Sequence, residues 1–370
     1  MKIHLSRPDI SEKEIEAVVR VLKTPNLCLG PMQDAFQETF SRYVGTKYAE
    51  AVSSGTAGLH LALLSCGIGK ADEVITTPFS FIASANSILF VGAKPVFVDI
   101  DPINFNIDVK KIESKITRRT KAILVVHALG LPSDMKAIQR IARRHNLFVI
   151  EDACEALGAK IEGRQVGTFS DIAVFGLYPN KQITTGEGGM ITTSSKKLAD
   201  FCKSTKNQGR NVYNKFIRLG YNYRLSDINC ALGLAQMKRI NIILSRREAI
   251  SEVYNHLLVS MKDIELPCRI PGYNRSWFTY VIKLKDKFNR YAKHNIIKAM
   301  GGYGIECGNY FPAIHLTPFY RKAFGYKENS FPQAEKVSAR TLALPFYNNL
   351  AAKKIDYVAR SLEKALQNAL

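Results

Sequence analysis

The sequence predicts an α/β fold, with a large, mostly parallel sheet covered by helices on both faces and a smaller C-terminal α+β unit. Three observations carry this. Between about residues 47 and 194, short β-branched runs alternate with helix-length segments, the pattern of strands laid side by side in parallel. Runs such as Ala122-Ile123-Leu124-Val125-Val126 are apolar without alternation and read as buried on both faces. Past residue 195 the pattern turns helical and then mixed, and 370 residues exceed what one ordinary core organises.

In chain order, strands are expected at Tyr48–Val52, Glu73–Thr76, Pro95–Val98, Ala122–His127, Leu147–Glu151, Ala173–Leu177 and Met190–Thr193. Helices are expected between them at Thr56–Leu64, Ile82–Val91 and Asp134–His145. Leu225–Ile242 and Ser245–Met261 have helical apolar spacing. A boundary is expected near residues 240–250, giving units 1–245 and 246–370, with the N-terminal segment packing on the smaller one. That unit should hold a strand at Phe278–Leu284, a helix near Asn295–Met300, a proline-containing loop at Phe311–Pro318 and a final helix after Lys353.

Composition is that of a globular protein, 46% hydrophobic and 23% charged, which excludes disorder. The net charge of +20 raises the question of nucleic acid. The charge is dispersed, however, over pairs such as Lys110-Lys111, Arg143-Arg144 and Arg246-Arg247. It reads as a solvated basic surface, or as a field attracting an anionic substrate such as a nucleotide diphosphate. The seven cysteines form no CxxC pair, so neither a metal site nor a disulfide framework is indicated. Met1 to Glu16 has no apolar core of a signal peptide, and no run is long enough to span a bilayer. A soluble cytoplasmic protein is expected, with no nucleic-acid or membrane partner.

Four segments could carry chemistry. Lys181 follows a strand and precedes the glycine-rich turn Thr185-Gly186-Glu187-Gly188-Gly189. Its amine could form a Schiff base with an aldehyde cofactor, and the plain alternative is an exposed loop lysine. Asp152 ends a buried strand in Val149-Ile150-Glu151-Asp152-Ala153. A carboxylate there can keep a pyridine nitrogen protonated, or can cap the next helix. Ser53-Ser54-Gly55-Thr56-Ala57 closes a strand and opens a helix, which suits a phosphate but also any ordinary cap. In Thr77-Pro78-Phe79-Ser80-Phe81 an aromatic past a strand could stack on a planar ring or simply fill the core. Together they place a phosphate cradle, an aromatic wall, an acid and a lysine on successive strand ends, where α/β sheets bind ligands.

These segments resemble the DegT/DnrJ/EryC1/StrS sugar aminotransferases, enzymes of the aspartate-aminotransferase-like fold type I that use pyridoxal phosphate (PLP). The likeness runs nearly end to end. It includes Leu5-Ser6-Arg7-Pro8, Asn180-Lys181-Gln182-Ile183-Thr184-Thr185-Gly186-Glu187, Gly220-Tyr221-Asn222-Tyr223-Arg224 and Phe311-Pro312-Ala313-Ile314-His315. It implies that Lys181 carries PLP as a Schiff base and that Asp152 meets the pyridine nitrogen. Gly55, Thr56 and Ala57 would hold the phosphate, and Phe81 would lie on the ring. Asn222 would reach the phosphate of a neighbouring subunit, making the active unit a homodimer. His315, Tyr310 and Glu187 would stand near the sugar, the plain alternative for His315 being a satisfied loop histidine. The cofactor would alternate with pyridoxamine phosphate as an amine passes from glutamate to a nucleotide-linked keto-sugar.

Two positions depart from the family pattern. Many members have a phosphate-binding serine where this chain has Gly176, so another donor must serve. Many have Gln or His where this chain has Glu155, whose ionised form beside the cofactor's phenolic oxygen would be repelled. A sister branch that deoxygenates sugars carries histidine in place of the lysine, and Lys181 argues against it. A nucleic-acid-binding protein or a PLP fold without activity are the remaining readings. The sequence does not distinguish amination at C3 from amination at C4.

Overall fold

The computed structural model describes residues 2–369. Two helices, α1 (Glu12–Leu22) and α2 (Pro31–Val44), precede the main sheet. The sheet begins with β1 (Tyr48–Val52), β2 (Glu73–Thr76), β3 (Lys94–Phe97), β4 (Thr120–Val126) and β5 (Phe148–Asp152). A short ribbon, β6 (Lys160–Ile161) and β7 (Arg164–Gln165), leads to β8 (Ile172–Gly176) and β9 (Gly189–Thr193), which complete it. The order is β1-β9-β8-β5-β4-β2-β3. The pairs β2–β3, β2–β4, β4–β5 and β5–β8 are parallel. Only β9 runs against its neighbours β8 and β1. The strands fall within two residues of where the sequence puts them.

The unalternating strands are buried on both faces. On β4, Ala122, Leu124 and Val126 join one core while Ile123 and Val125 join another. The first core is closed by α3 (Gly55–Ser65), whose Leu59, Leu61 and Leu63 are all buried. A helix apolar all round needs such an enclosed site, and each leucine contributes roughly 1.5–3 kcal/mol there. Helix α4 (Ala83–Phe90) packs beside α3, and the amphipathic α5 (Met135–His145) covers the other face through Met135, Ile138 and Ala142. Helix α6 (Lys196–Thr205) follows β9.

The helices after residue 225 differ from expectation. In place of Leu225–Ile242 and Ser245–Met261 the chain forms α7 (Asp227–Met237) and α8 (Ile240–Leu258). The break comes at Arg239, which leaves helical geometry at φ −109° and ψ 2°. Its guanidinium is drawn instead to Glu14 (2.9 Å) and Asp9 (3.2 Å) beside α1. Helix α8 then runs unbroken through residues 240–250. Ile240 and Ile243 belong to the core of the main sheet, whereas Ile250, Tyr254 and Leu258 belong to a separate C-terminal core.

That core lies on the antiparallel sheet β10 (Ile264–Glu265), β12 (Tyr280–Leu284) and β13 (Thr341–Leu344), while β11 (Tyr273–Asn274) pairs back onto β6. Around it stand α9 (Arg290–Gly302), α11 (Pro332–Arg340) and α12 (Ala352–Gln367), while α10 (Pro318–Phe324) packs its Tyr320 on Phe97 and Ala85 beside the main sheet. Helix α9 starts earlier than expected because the Asn289 side chain accepts from the Ala292 N–H at 2.9 Å and caps it. Tyr254 and Tyr280 stack at 4.6 Å, and Trp277 stacks on Tyr280 at 5.7 Å. The N-terminal segment lies on this layer, with the Ile3 N–H donating to Gly304 O at 2.8 Å. Among the described residues no helix is long and apolar enough to cross a membrane.

Candidate active site

A cleft of about 440 Å³ opens at the ends of the parallel strands. Asp152, Lys181, Phe81, Gly55 and Thr56 line it together with Glu155, Glu187 and Tyr310. Its floor is set by backbone contact. A Cβ on Gly55 would lie 2.9 Å from Cys154 Sγ, and one on Gly176 would lie 3.2 Å from Cys154 Cβ. Both glycines therefore leave room for Cys154, and the start of α3 comes down directly onto the end of β8. Ser54 caps α3, its Oγ accepting from the Ala57 N–H at 3.0 Å. Ala57 is outside the lining and its N–H is engaged, while Gly55 and Thr56 border the open space.

Asp152 is the last residue of β5 and is 6% exposed. Oδ2 accepts from Ser84 Oγ at 2.6 Å, and Oδ1 from the Cys154 N–H at 3.2 Å. Ser80 Oγ in turn lies 2.8 Å from Ser84 Oγ. The alternative role of Asp152 as a helix cap is not realised, since the chain turns from β5 into the ribbon β6–β7. One residue earlier, Glu151 points away from the cleft into a closed network. It accepts from the Gly167 N–H (2.8 Å) and Ser170 Oγ (2.7 Å) and meets His127 Nε2 at 2.9 Å. His127 Nδ1 accepts from the Ser133 N–H at 3.1 Å, so Nε2 carries the hydrogen given to Glu151. Burial raises the Glu151 carboxyl, but these donors outweigh it and hold the group below its usual range.

Lys181 sits in the loop joining β8 to its antiparallel neighbour β9. Its side chain is only 14% exposed, unlike an ordinary loop lysine. Nζ lies 3.7 Å from Glu155 Oε1, an ionic contact too long for a hydrogen bond, and 4.1 Å from the centre of the Phe278 ring. Glu155 is buried, and Oε2 accepts from the Leu129 N–H at 3.0 Å. Burial pushes its carboxyl above the usual range; Lys181 opposes that push and Asp152 adds to it. That rise weakens the repulsion expected of a carboxylate at this position.

The remaining expected residues divide. Phe81 stands at the cleft, 61% exposed, with its ring available. Tyr310 lines the cleft and lies 3.5 Å from Asn180 Nδ2, while Asn180 Oδ1 is buried without a partner. Glu187 is at the mouth. Asn222 is exposed in the segment that bridges to Asn207, away from the lining. His315 is not brought into the cleft. It is fully buried, with Nε2 2.9 Å from Glu335 Oε1 and its ring 4.8 Å from Phe331. Sequence reasoning assigned no role to Ser84, Gln182 or Phe278. Gln182 Nε2 donates to Glu155 O at 2.7 Å and to Ser276 Oγ at 2.9 Å, tying the lysine loop to the segment before β12. Asn180 and Gln182 flank Lys181 and were within reach of a sequence argument, whereas nothing local marks Ser84 or Phe278.

The residues present fit a planar, phosphorylated cofactor. A glycine-walled helix start faces the cleft, an acid lies at a strand end, and a buried amide oxygen lacks a partner.

Comparison with known proteins gives the family. The profile of the DegT/DnrJ/EryC1/StrS aminotransferase family matches residues 8–363. The chain is 37% identical to the GDP-perosamine synthase of Caulobacter vibrioides, over 99% of this chain and 98% of that one. It is 36% identical to the spore coat polysaccharide biosynthesis protein SpsC of Bacillus subtilis, over 98% and 97%. Among solved structures, DesV of S. venezuelae in complex with a ketimine intermediate superposes with a TM-score of 0.91 at 31% identity, covering 96% of this chain and 94% of that one. With the family matched along almost its whole length, this chain belongs to the DegT/DnrJ/EryC1/StrS aminotransferases.

Proposed function

We propose that this aminotransferase moves an amino group from glutamate to a keto-sugar carried on a nucleoside diphosphate, with Lys181 as the amine that holds its cofactor, PLP. The observation that carries the reading is the convergence of Lys181, Asp152, Phe81 and the start of α3 on one cleft. The sugar rests on the relatives' names, one a GDP-perosamine synthase and one a spore coat polysaccharide protein.

When bound, PLP supplies an electron sink for charge left at the α-carbon of the amino donor. Asp152, oriented by Ser84, keeps the pyridine nitrogen protonated. Gly55 and Thr56 offer backbone N–H groups to the phosphate at the positive end of α3. Ser54 takes the part of the hydroxyl missing at Gly176, since it lines the cleft and its own hydrogen is free while it caps α3. Phe81 presents its ring face. Lys181 would hold the cofactor through its amine and, when that amine is free, would carry the proton that leaves the donor's α-carbon. Glu155, whose carboxyl burial raises above its usual range, would stand beside the cofactor. Tyr310 and Glu187 face the acceptor sugar.

The active unit is a homodimer in which Asn222 of one chain serves the other's phosphate. Exposed apolar residues such as Leu29, Phe90, Tyr213 and Leu219 support a buried face there. Residues 1–245 form the cofactor-binding unit and 246–370 the smaller one, with α8 bridging their separate cores. Seven free thiols support a reducing cytoplasm.

The test is the visible spectrum of the protein reconstituted with PLP, before and after glutamate, beside Lys181→Ala. A yellow band that glutamate bleaches only when Lys181 is present is expected. A band indifferent to both would sink the reading.

A further inference from the structure

Arg247 of α8 is 3% exposed, and its guanidinium is spent on carbonyls. Nη1 donates to Trp277 O at 3.1 Å and to Phe278 O at 3.3 Å. Nη2 donates to Lys181 O at 3.1 Å, while Nε is buried without a partner. Desolvation lowers the group to about 10, which still leaves it charged at neutral pH. Burying a cation among dipoles is expensive, and a fold brace could have used an apolar residue.

The three carbonyls lie on two segments that meet nowhere in sequence. One is the lysine loop. The other leads into β12 and carries Phe278, whose ring lies 4.1 Å from Lys181 Nζ and lines the cleft. The guanidinium thus holds the backbone of the amine-bearing residue and the backbone of the residue that covers the amine.

We propose that Arg247 is a positioning residue that fixes the Lys181 amine against the Phe278 ring, so that the amine meets the carbonyl it attacks along one direction. The proposal rests on Lys181 being the cofactor-holding amine. Geometry explains the residue type. A planar fork can span carbonyls from two segments, whereas the single ammonium of lysine is a point donor that cannot hold the same spacing. Gln182 reinforces the same seam through Ser276.

The experiment compares wild type, Arg247→Lys, Phe278→Leu and the double variant. The cofactor-free proteins are mixed with PLP and quenched with borohydride at intervals, and label on the Lys181 peptide is counted by mass spectrometry. Thermal unfolding is followed in parallel, and kcat and KM for glutamate are measured separately. Capture about tenfold slower is expected in each single variant, because small misplacements of a reacting group are costly. The double variant should be no slower than the worse single one, since both act on one geometry. A fall in kcat with unchanged KM should accompany this. Capture at the wild-type rate in a folded Arg247→Lys, or strictly additive losses, would overturn the proposal in favour of a fold brace. Should Arg247→Lys not fold, Phe278→Leu decides, and wild-type capture there overturns it. Absence of label on Lys181 in wild type would instead remove the functional reading beneath it.

Discussion

Ser84 Oγ stands 2.6 Å from Asp152 Oδ2, a hydrogen bond from the start of α4 to the end of β5 across 68 positions of sequence. It aims the carboxylate proposed to meet the pyridine nitrogen in the cleft. Ser84→Ala should leave the fold intact and slow the glutamate half-reaction roughly tenfold or more, the scale of a lost hydrogen bond to a charged group. Single-turnover bleaching of the cofactor band measures it, and a wild-type rate would show that Asp152 is oriented without Ser84.

Glu155 should leave a signature in stability. Its carboxyl is raised in the folded chain above the ordinary value of 4.5, chiefly by burial. Between those two values the folded state binds more protons than the unfolded one, so stability falls as pH rises through that window. Glu155→Gln removes this loss. Urea unfolding of the cofactor-free proteins at acid and mildly alkaline pH should show wild type losing ground to the variant as pH rises. Parallel curves would mean that Lys181 compensates the buried charge fully.

The glycine at position 55 answers to Cys154. Gly55→Ala brings a methyl to 2.9 Å from Cys154 Sγ and should cost about 1–3 kcal/mol of stability, with weaker PLP retention. Adding Cys154→Ala should restore most of both. Thermal unfolding and cofactor titration of the single and double variants check it, and no rescue would place the clash elsewhere.

His315 should matter to the fold and not to the sugar. Buried against Phe331 and paired with Glu335, it is expected to lose stability on replacement by Leu, which removes one of Glu335's partners and leaves it the Asn329 and Phe331 N–H groups, while KM for the nucleotide-sugar acceptor stays as in wild type. A selective rise in that KM would return it to the site.

Much of this was legible in the sequence because strand burial and motif order are local. The strands around Ala122–Val126 and Ala173–Gly176 declare themselves by unbroken apolar runs, and Lys181 and Asp152 by their places at strand ends. What was hidden is made by tertiary contact. Ser84 looks like any helix serine until α4 lies over β5. Phe278 reads as the start of a strand, and only the approach of the lysine loop turns it into a wall. The break at Arg239 depends on Glu14 and Asp9, more than two hundred positions away, which no window of local periodicity contains. His315 carried a motif but not its surroundings.

The antiparallel return of β9 beside β8 has a consequence for how such an enzyme can change. The lysine loop is pinned at both ends to one sheet, so the distance from Lys181 to Asp152 is inherited from a rigid ladder. Tyr310 comes to the rim from a different segment, the loop between α9 and α10, outside that ladder. New acceptors can therefore be explored by substitutions at the rim while the chemistry stays fixed, which separates what the catalyst does from whom it serves.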